Sequence, residues 1–445
     1  MIEVNHKIQR YESYKESGIE WLGEIPEHWG IESFKNILTE RNEKNTPIRT
    51  KEILSLSIDK GVTLYAEKTT NLDRFKDDFS KYKLAHRGDL VFNSMNMIVG
   101  AVGMSDYFGC VSPVYYTYYG EPNNSDTSKF YEYLFRSKTV QGVLYSLGKG
   151  LMAIDRGDGK YNTLRLKVSR DDLRSMKLPF PPLPELTKIV QFLDNKTTKI
   201  DKAITIKEKQ INLLKERKQI LIHKAVTQGL NANAKLKDSG VEWIGSIPEH
   251  WNVKRLKMIG SIVNGATPSS SVPSFWNGKI VWVTPTDIND IFIIEKSERT
   301  ITKSGYKSCG TTIVPKDSII LTTRAPIGKL VISGKDLCTN QGCKSLVLKD
   351  SFETKFIYYQ LSICSEVLNS LGTGTTFMEL GNKVLKNFLV GIPPFSEQKE
   401  ISAYIETASQ KIETAISLKQ QEIQKLKEYK SSLINSVVTG KVRVC

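Results

Sequence analysis

One fifteen-residue segment occurs twice in this chain, and that duplication limits the architecture more than any other feature. Residues 15–29 read KESGIEWLGEIPEHW and residues 237–251 read KDSGVEWIGSIPEHW, identical at eleven of fifteen positions. Such self-similarity marks a chain assembled from two related halves. A second matched pair closes each half. One segment begins FPPLPELTKIVQFLDNKTTKIDKAI at Phe180, and the other begins IPPFSEQKEISAYIETASQKIETAI at Ile392. At a constant offset of 212, Leu193 meets Ile405, Ile200 meets Ile412, Ile204 meets Ile416, Ile211 meets Ile423, Leu214 meets Leu426 and Leu221 meets Leu433.

Those apolar positions follow a heptad, the spacing of a coiled-coil seam. Each segment starts after a Pro-Pro pair, which can precede a helix but cannot lie inside one. Glu185 and Glu397 then fall in the first turn, where a carboxylate favours the positive end of the helix dipole. Lysines also correspond within the seam, Lys207 with Lys419 and Lys218 with Lys430. A seam lysine lowers stability but can fix register and partner number. With about 40 helical residues each helix would be ~60 Å long. The matched seams predict that the two helices pack on each other.

Two divergent stretches lie between these repeats, and a shared scaffold shows through them. Asp89, Val91, Gly100 and Cys110 align with Asp317, Ile319, Gly328 and Cys338 at an offset of 228. Phe130 and Tyr133 align with Phe356 and Tyr359 at 226, and Leu147-Gly148-Lys149-Gly150 matches Leu371-Gly372-Thr373-Gly374. Runs at 89–93, 114–119, 280–283, 318–321 and 345–348 are β-branched or aromatic and predict strands. Residues 128–137 and 353–370 predict helices. Each stretch therefore reads as a mixed α/β domain, with the same scaffold carrying different loops.

The formal charge is +15, from 63 basic and 48 acidic residues. Up to Ile222 there are 35 basic and 29 acidic residues, a net of +6; after it there are 28 and 19, a net of +9. Both halves are positive, which favours a polyanionic partner because Lys and Arg displace counterions from phosphates. The six cysteines (Cys110, Cys309, Cys338, Cys343, Cys364, Cys445) form no C-x-x-C pair and have no histidine at ligand spacing. They read as reduced thiols with no metal. A polar, charged start and the lack of a long apolar run predict a cytoplasmic protein without a membrane span.

The twice-written G-[IV]-E-W-[LI]-G-x-I-P-E-H-W box (18–29 and 240–251), the P-P-[LF]-[PS]-E helix starts (181–185 and 393–397) and the order domain–helix–domain–helix resemble the specificity subunit of Type I restriction-modification enzymes. The resemblance covers essentially the whole chain. One departure is that the Glu-Gln of the second helix start, Glu397-Gln398, is Glu185-Leu186 in the first. The resemblance implies an α+β fold with two mixed α/β target recognition domains. These are separated by two long helices that form an antiparallel coiled coil, giving a pseudo-two-fold internal repeat. Its expected divisions are a first box (1–29), recognition domain 1 (30–180), a first long helix (181–227), a linker with the second box (228–251), recognition domain 2 (252–392) and a second long helix (393–445). It further implies that each domain reads one half of a bipartite site in double-stranded DNA while the helices set the unread spacer. The expected partners are two methyltransferase subunits and, in the full complex, two ATP-dependent restriction subunits.

In such a protein Lys and Arg on phosphates supply affinity, and side chains at base edges supply specificity. The most informative loops follow the matched strands: Ser94 and Asn96 in the first domain, Thr322 and Arg324 in the second. Asn96 and Arg324 are equivalent positions, and they differ as a change from adenine to guanine preference would require. A second loop pairs Lys149, Arg156, Lys160, Tyr161 and Asn162 with Thr373, Thr375 and Thr376, and a third pairs Ser112 with Asn340 and Gln341. Trp21, Trp29, Trp243 and Trp251 read as packing residues. His28 and His250 have no acidic or thiol neighbour implied by sequence and read as structural hydrogen-bonders.

No catalytic or cofactor motif accompanies these features. There is no G-x-x-x-x-G-K-[ST] loop, Gly372-Thr-Gly374 does not continue into G-x-G-x-x-G, and Gly391-Ile-Pro-Pro-Phe395 lacks the Asn of an adenine-methyltransferase box. The expectation is a non-catalytic chain needing no cofactor. Two alternatives remain open in the sequence: a specificity subunit of another bipartite-site system, and a coiled-coil scaffold that binds only proteins.

Overall fold

The β-branched and aromatic runs of the first stretch form a sheet in the computed structural model, which describes residues 9–68, 78–120, 125–150, 166–289, 291–374 and 378–444. Its strands are β1 (Thr39–Glu40), β2 (Leu90–Asn93), β3 (Val102–Met104) and β4 (Tyr115–Tyr119), in the order β1-β4-β2-β3 and antiparallel throughout. Leu90, Val91 and Phe92 are all buried, so both faces of β2 are covered and the run lacks polar alternation. Helix α1 (Ser125–Arg136) lies against this sheet, and the Phe135 ring meets Phe92 edge-on at 5.0 Å. Strand Gly30–Ser33 pairs with Lys177–Phe180, so the first and last strands of the stretch are hydrogen-bonded to each other.

The chain then enters helix α2 (Leu183–Gln228), directly after Pro181 and Pro182. It contributes to two compact units, Met1–Lys207 with Gln421–Cys445, and Glu208–Gln420. In the first unit Leu186, Ile189, Leu193 and Ile200 share a core with Trp29, Phe130, Leu433 and Val437. Lys430 Nζ bonds Asp201 at 2.7 Å, and Lys207 pairs with Glu422.

In the second unit the corresponding runs give β5 (Gly260–Asn264), β6 (Ile293–Ile294), β7 (Ile319–Thr322), β8 (Leu330–Ser333) and β9 (Cys343–Leu348), ordered β5-β9-β7-β8-β6. All pairings are antiparallel except β6 with β8. Strand Asn252–Arg255 pairs with Leu389–Ile392. The region expected to be one helix over 353–370 instead breaks into α3 (Thr354–Ser362) and a shorter helix, Ser365–Ser370. Apolar periodicity continues through the break, with Leu361, Cys364 and Leu368 all buried, so the sequence pattern does not register it. Ser365 Oγ donates to Gly328 O at 3.2 Å at this point. Helix α4 (Phe395–Val438) completes the elements, and its Ile401 and Ile405 share a core with Ile222 and Val226. Lys218 Nζ bonds Glu413 Oε1 at 2.8 Å.

The duplicated boxes sit against the helix starts. Trp29 and Trp251 are fully buried, and Trp243 stacks on Phe388 at 5.4 Å. His28 Nε2 lies 2.6 Å from Glu185, and His250 Nε2 lies 2.8 Å from Glu397. This corrects the expectation that the histidines lack acidic neighbours, because folding brings in a carboxylate 157 residues away in sequence for His28 and 147 for His250. Trp251 Nε1 also donates to Glu397 at 3.1 Å, and Gln398 accepts from Glu353 N where Leu186 is simply core.

Candidate nucleic-acid interface

In the first unit, β2 runs into the 93–96 turn, where Asn93 Oδ1 accepts from Met95 N at 3.1 Å. Asn96 is exposed, whereas Ser94 is fully buried and its carbonyl accepts from Val168 N at 3.2 Å. Ser112 is half-buried, and its carbonyl holds Tyr115 N at the start of β4. Lys149 pairs through its backbone with Lys167, and its ammonium lies 3.3 Å from Asp172. Arg156, Lys160, Tyr161 and Asn162 lie outside the described residues. Bonds from Val168 to Ser94 and from Tyr116 Oη to Val168 O thus gather the stretches after β2, before β4 and around 149 and 167 at one end of the sheet.

The second unit repeats that gathering with different chemistry. Thr323 N donates to Gly342 O at 2.8 Å, Leu380 N donates to Thr323 O at 2.8 Å, and Thr373 and Glu379 exchange two backbone bonds. Arg324 is half-exposed, and its Nε donates to Glu379 Oε2 at 3.0 Å. Thr322 is fully buried; its hydroxyl donates to Pro326 O and accepts from Lys329 N, so it faces inward. Asn340 Oδ1 caps its own turn at Gly342 N, Gln341 accepts from Thr267, and Thr373 is exposed. Thr375 and Thr376 lie outside the described residues.

Several groups that sequence reasoning missed line the same sheet ends. Arg170 stacks over Tyr116 at 5.5 Å and pairs with Glu40 at 3.1 Å, while Lys83 Nζ donates to Tyr115 O. Burial, followed by the neighbouring Arg170, pushes the Lys83 ammonium below its ordinary range. Lys344 is nearly buried on β9, 3.4 Å from Asn264 and 3.9 Å from Glu379. Burial again lowers its pKa, opposed by Glu379 and reinforced by Arg324. The sequence signal for the first set was the basic run Arg165, Lys167, Arg170, Arg174; Glu379 and Lys344 had none.

Burial pushes the Cys110 and Cys338 thiols up to about 11. Among the described residues no group of three or more His, Cys, Asp or Glu could hold a metal ion. No described helix is long and apolar enough to cross a membrane.

A family model described as "Type I restriction modification DNA specificity domain" matches residues 248–428. The putative type I restriction enzyme MjaX specificity subunit of Methanocaldococcus jannaschii is 26% identical over 455 residues, covering 98% of both proteins. The chain is thus similar to Type I specificity subunits. The MjaIX specificity subunit of the same organism is 38% identical over 166 residues, which is 36% of this chain and 38% of that protein. A solved chain described as "Structural basis underlying complex assembly and conformational transition of the type I R-M system" superposes with a TM-score of 0.70. It is 17% identical and covers 93% of this chain and 98% of its own, a likeness of fold. The family-model match includes Arg324, Asn340, Gln341, Thr373 and Glu379.

Proposed function

We propose that this chain is the non-catalytic DNA-reading subunit of a Type I complex in the cytoplasm, each recognition domain taking one half of a split site. The domains are 30–180 and 252–392, each closed by the pairing of its first and last strands. The observation that carries the reading is that each unit gathers its matched loops at the end of a sheet. The matched strands come in the same order in each sheet: β1-β4-β2-β3 in one, β5-β9-β7-β8 in the other. Asn96, Ser112 and Lys149, with the region 156–162, serve the first half-site. Arg324, Asn340, Gln341 and Thr373, with 375–376, serve the second. Ser94 and Thr322 shape their loops from inside.

The long helices act as an antiparallel coiled coil that sets the spacer. Support comes from the ion pairs Lys218 with Glu413 and Lys430 with Asp201, which exchange under the repeat because Lys218 and Lys430, and Asp201 and Glu413, are each 212 residues apart. Around such a strut the chain docks two methyltransferases and, in the full complex, two ATP-dependent restriction subunits; the solved relative's description concerns assembly of a type I R-M complex. The test is methylome mapping of cells expressing the chain with its methyltransferase, together with binding of the purified complex to DNA. A split motif is expected, with affinity falling about a thousandfold or more between 50 and 200 mM salt if some six or more phosphates are contacted. A continuous motif, or salt-independent binding, would overturn the reading.

A further inference from the structure

Arg324 is tied on one side only. Glu379 accepts from its Nε at 3.0 Å, and among the described residues the two terminal guanidinium nitrogens have no other partner. That side-on bond leaves the end-on fork free, the part of arginine that pairs with the O6 and N7 acceptors of guanine in the major groove. Both backbones are pinned as well: Arg324 and Glu379 form a bridge, and Leu380 N donates to Thr323 O at 2.8 Å. The other carboxylate oxygen, Oε1, faces the nearly buried Lys344 at 3.9 Å. Glu379 is thus held by one cation while it holds another. A free arginine has many rotamers, and fixing them before binding removes an entropic cost and sharpens geometry.

Among the described residues the first unit shows no such pair at the equivalent position. The position equivalent to Arg324 is Asn96, which is exposed, and the backbone partner of Lys149 is Lys167, where the second unit has Glu379 opposite Thr373. An acidic group at a surface that meets phosphates is unfavourable unless it serves another group, and here it serves Arg324.

We propose that Glu379 is a positioning residue that orients Arg324 to read guanine, so that one G·C pair is an obligatory element of the half-site read by the second unit. This rests on the DNA-reading function proposed above. Lys344 holds the carboxylate in place, and the free fork of Arg324 makes the two-pronged contact.

The test uses the complex of this chain with its methyltransferase. The split motif is first mapped in cells, and binding is then measured to duplexes carrying each single base-pair change, and to random DNA. In the unaltered protein one half of the motif contains a G·C pair whose replacement costs roughly tenfold or more in affinity. Arg324→Ala abolishes discrimination at that pair alone. Glu379→Ala weakens discrimination at the same pair, and Glu379→Gln, which keeps an acceptor for Nε, restores part of it. Random-DNA binding is kept or raised in both Glu379 variants, because a negative charge is lost; a merely structural lesion would lower it. A motif with no G·C pair sensitive to Arg324→Ala overturns the inference and leaves the DNA-reading function standing. So does a Glu379→Ala protein with undiminished discrimination. Absence of any split motif in the unaltered protein overturns both.

Discussion

Arg41 places its Nε 2.6 Å from one oxygen of Asp89 and a terminal nitrogen 3.2 Å from the other, across a carboxylate that is 1% exposed. Burial pushes the Asp89 carboxyl above its ordinary range, while Arg41 and the backbone N–H of His86, which bonds at 2.7 Å, pull it back. Removing one partner of such a pair strands the other, which costs more than the pair itself contributes. Asp89→Ala is therefore expected to destabilise the first unit by about 3 kcal/mol, the low end of the usual range. The low end applies because Arg41 keeps Glu43 at 3.7 Å and the face of Tyr119 at 4.5 Å. Thermal unfolding against the unaltered protein measures it, and a loss well under 1 kcal/mol would show the pair to be idle. Residue-level chemistry was only partly legible. Alternation normally tells which side of a strand faces water, but β2 and β7 are covered on both faces, so nothing marked Ser94 and Thr322 as inward. Glu379 and Lys344 matter through partners 55 and 80 residues away, which no local pattern encodes.

The long helices were the most legible elements, because a seven-residue apolar period leaves few alternatives. Their limits follow from Pro181-Pro182 and Pro393-Pro394 at the starts and Gly229 at one end, whose φ of +72° suits a residue without a Cβ. The same helices carry apolar side chains off the seam: Ile206, Leu213 and Ile220 are each at least half exposed. Burial rather than residue type should therefore decide the cost of truncation. Ile405→Ala removes a fully buried side chain from a core shared with Ile222, and is expected to cost about 2–5 kcal/mol. Leu213→Ala, at 62% exposure, should stay within about 0.5 kcal/mol. Denaturant titration of the two variants separates them, and equal losses would refute the assignment of the seam. Irregular elements were less legible. The break between α3 and the Ser365–Ser370 helix lies where buried residues continue at helical spacing, so periodicity alone joined what the chain separates.

At the scale of the whole molecule, the net charge of +15 bears on what the chain meets and not on how it folds. Duplication is what bears on the proposed function, in which a strut with matched ends would serve two readers. Removing residues 206–212 and 418–424 takes one heptad from each helix at positions related by the repeat, and eliminates both members of the Lys207–Glu422 pair. The apolar seam then closes in register, because a heptad returns each side chain to its former face. Seven residues of helix span roughly 10 Å, equivalent to about three base pairs of DNA. Three base pairs also turn the far half-site about a quarter of the way round the duplex or slightly more, given some ten base pairs per turn. If the helix pair sets the spacer, the shortened complex must either methylate a motif whose gap has contracted by about three base pairs, or fail because the second reader meets the wrong face. Methylome mapping of cells carrying the deletion decides it. Methylation with the original gap would mean that the readers find their spacing without the helices, and the strut would have to be abandoned.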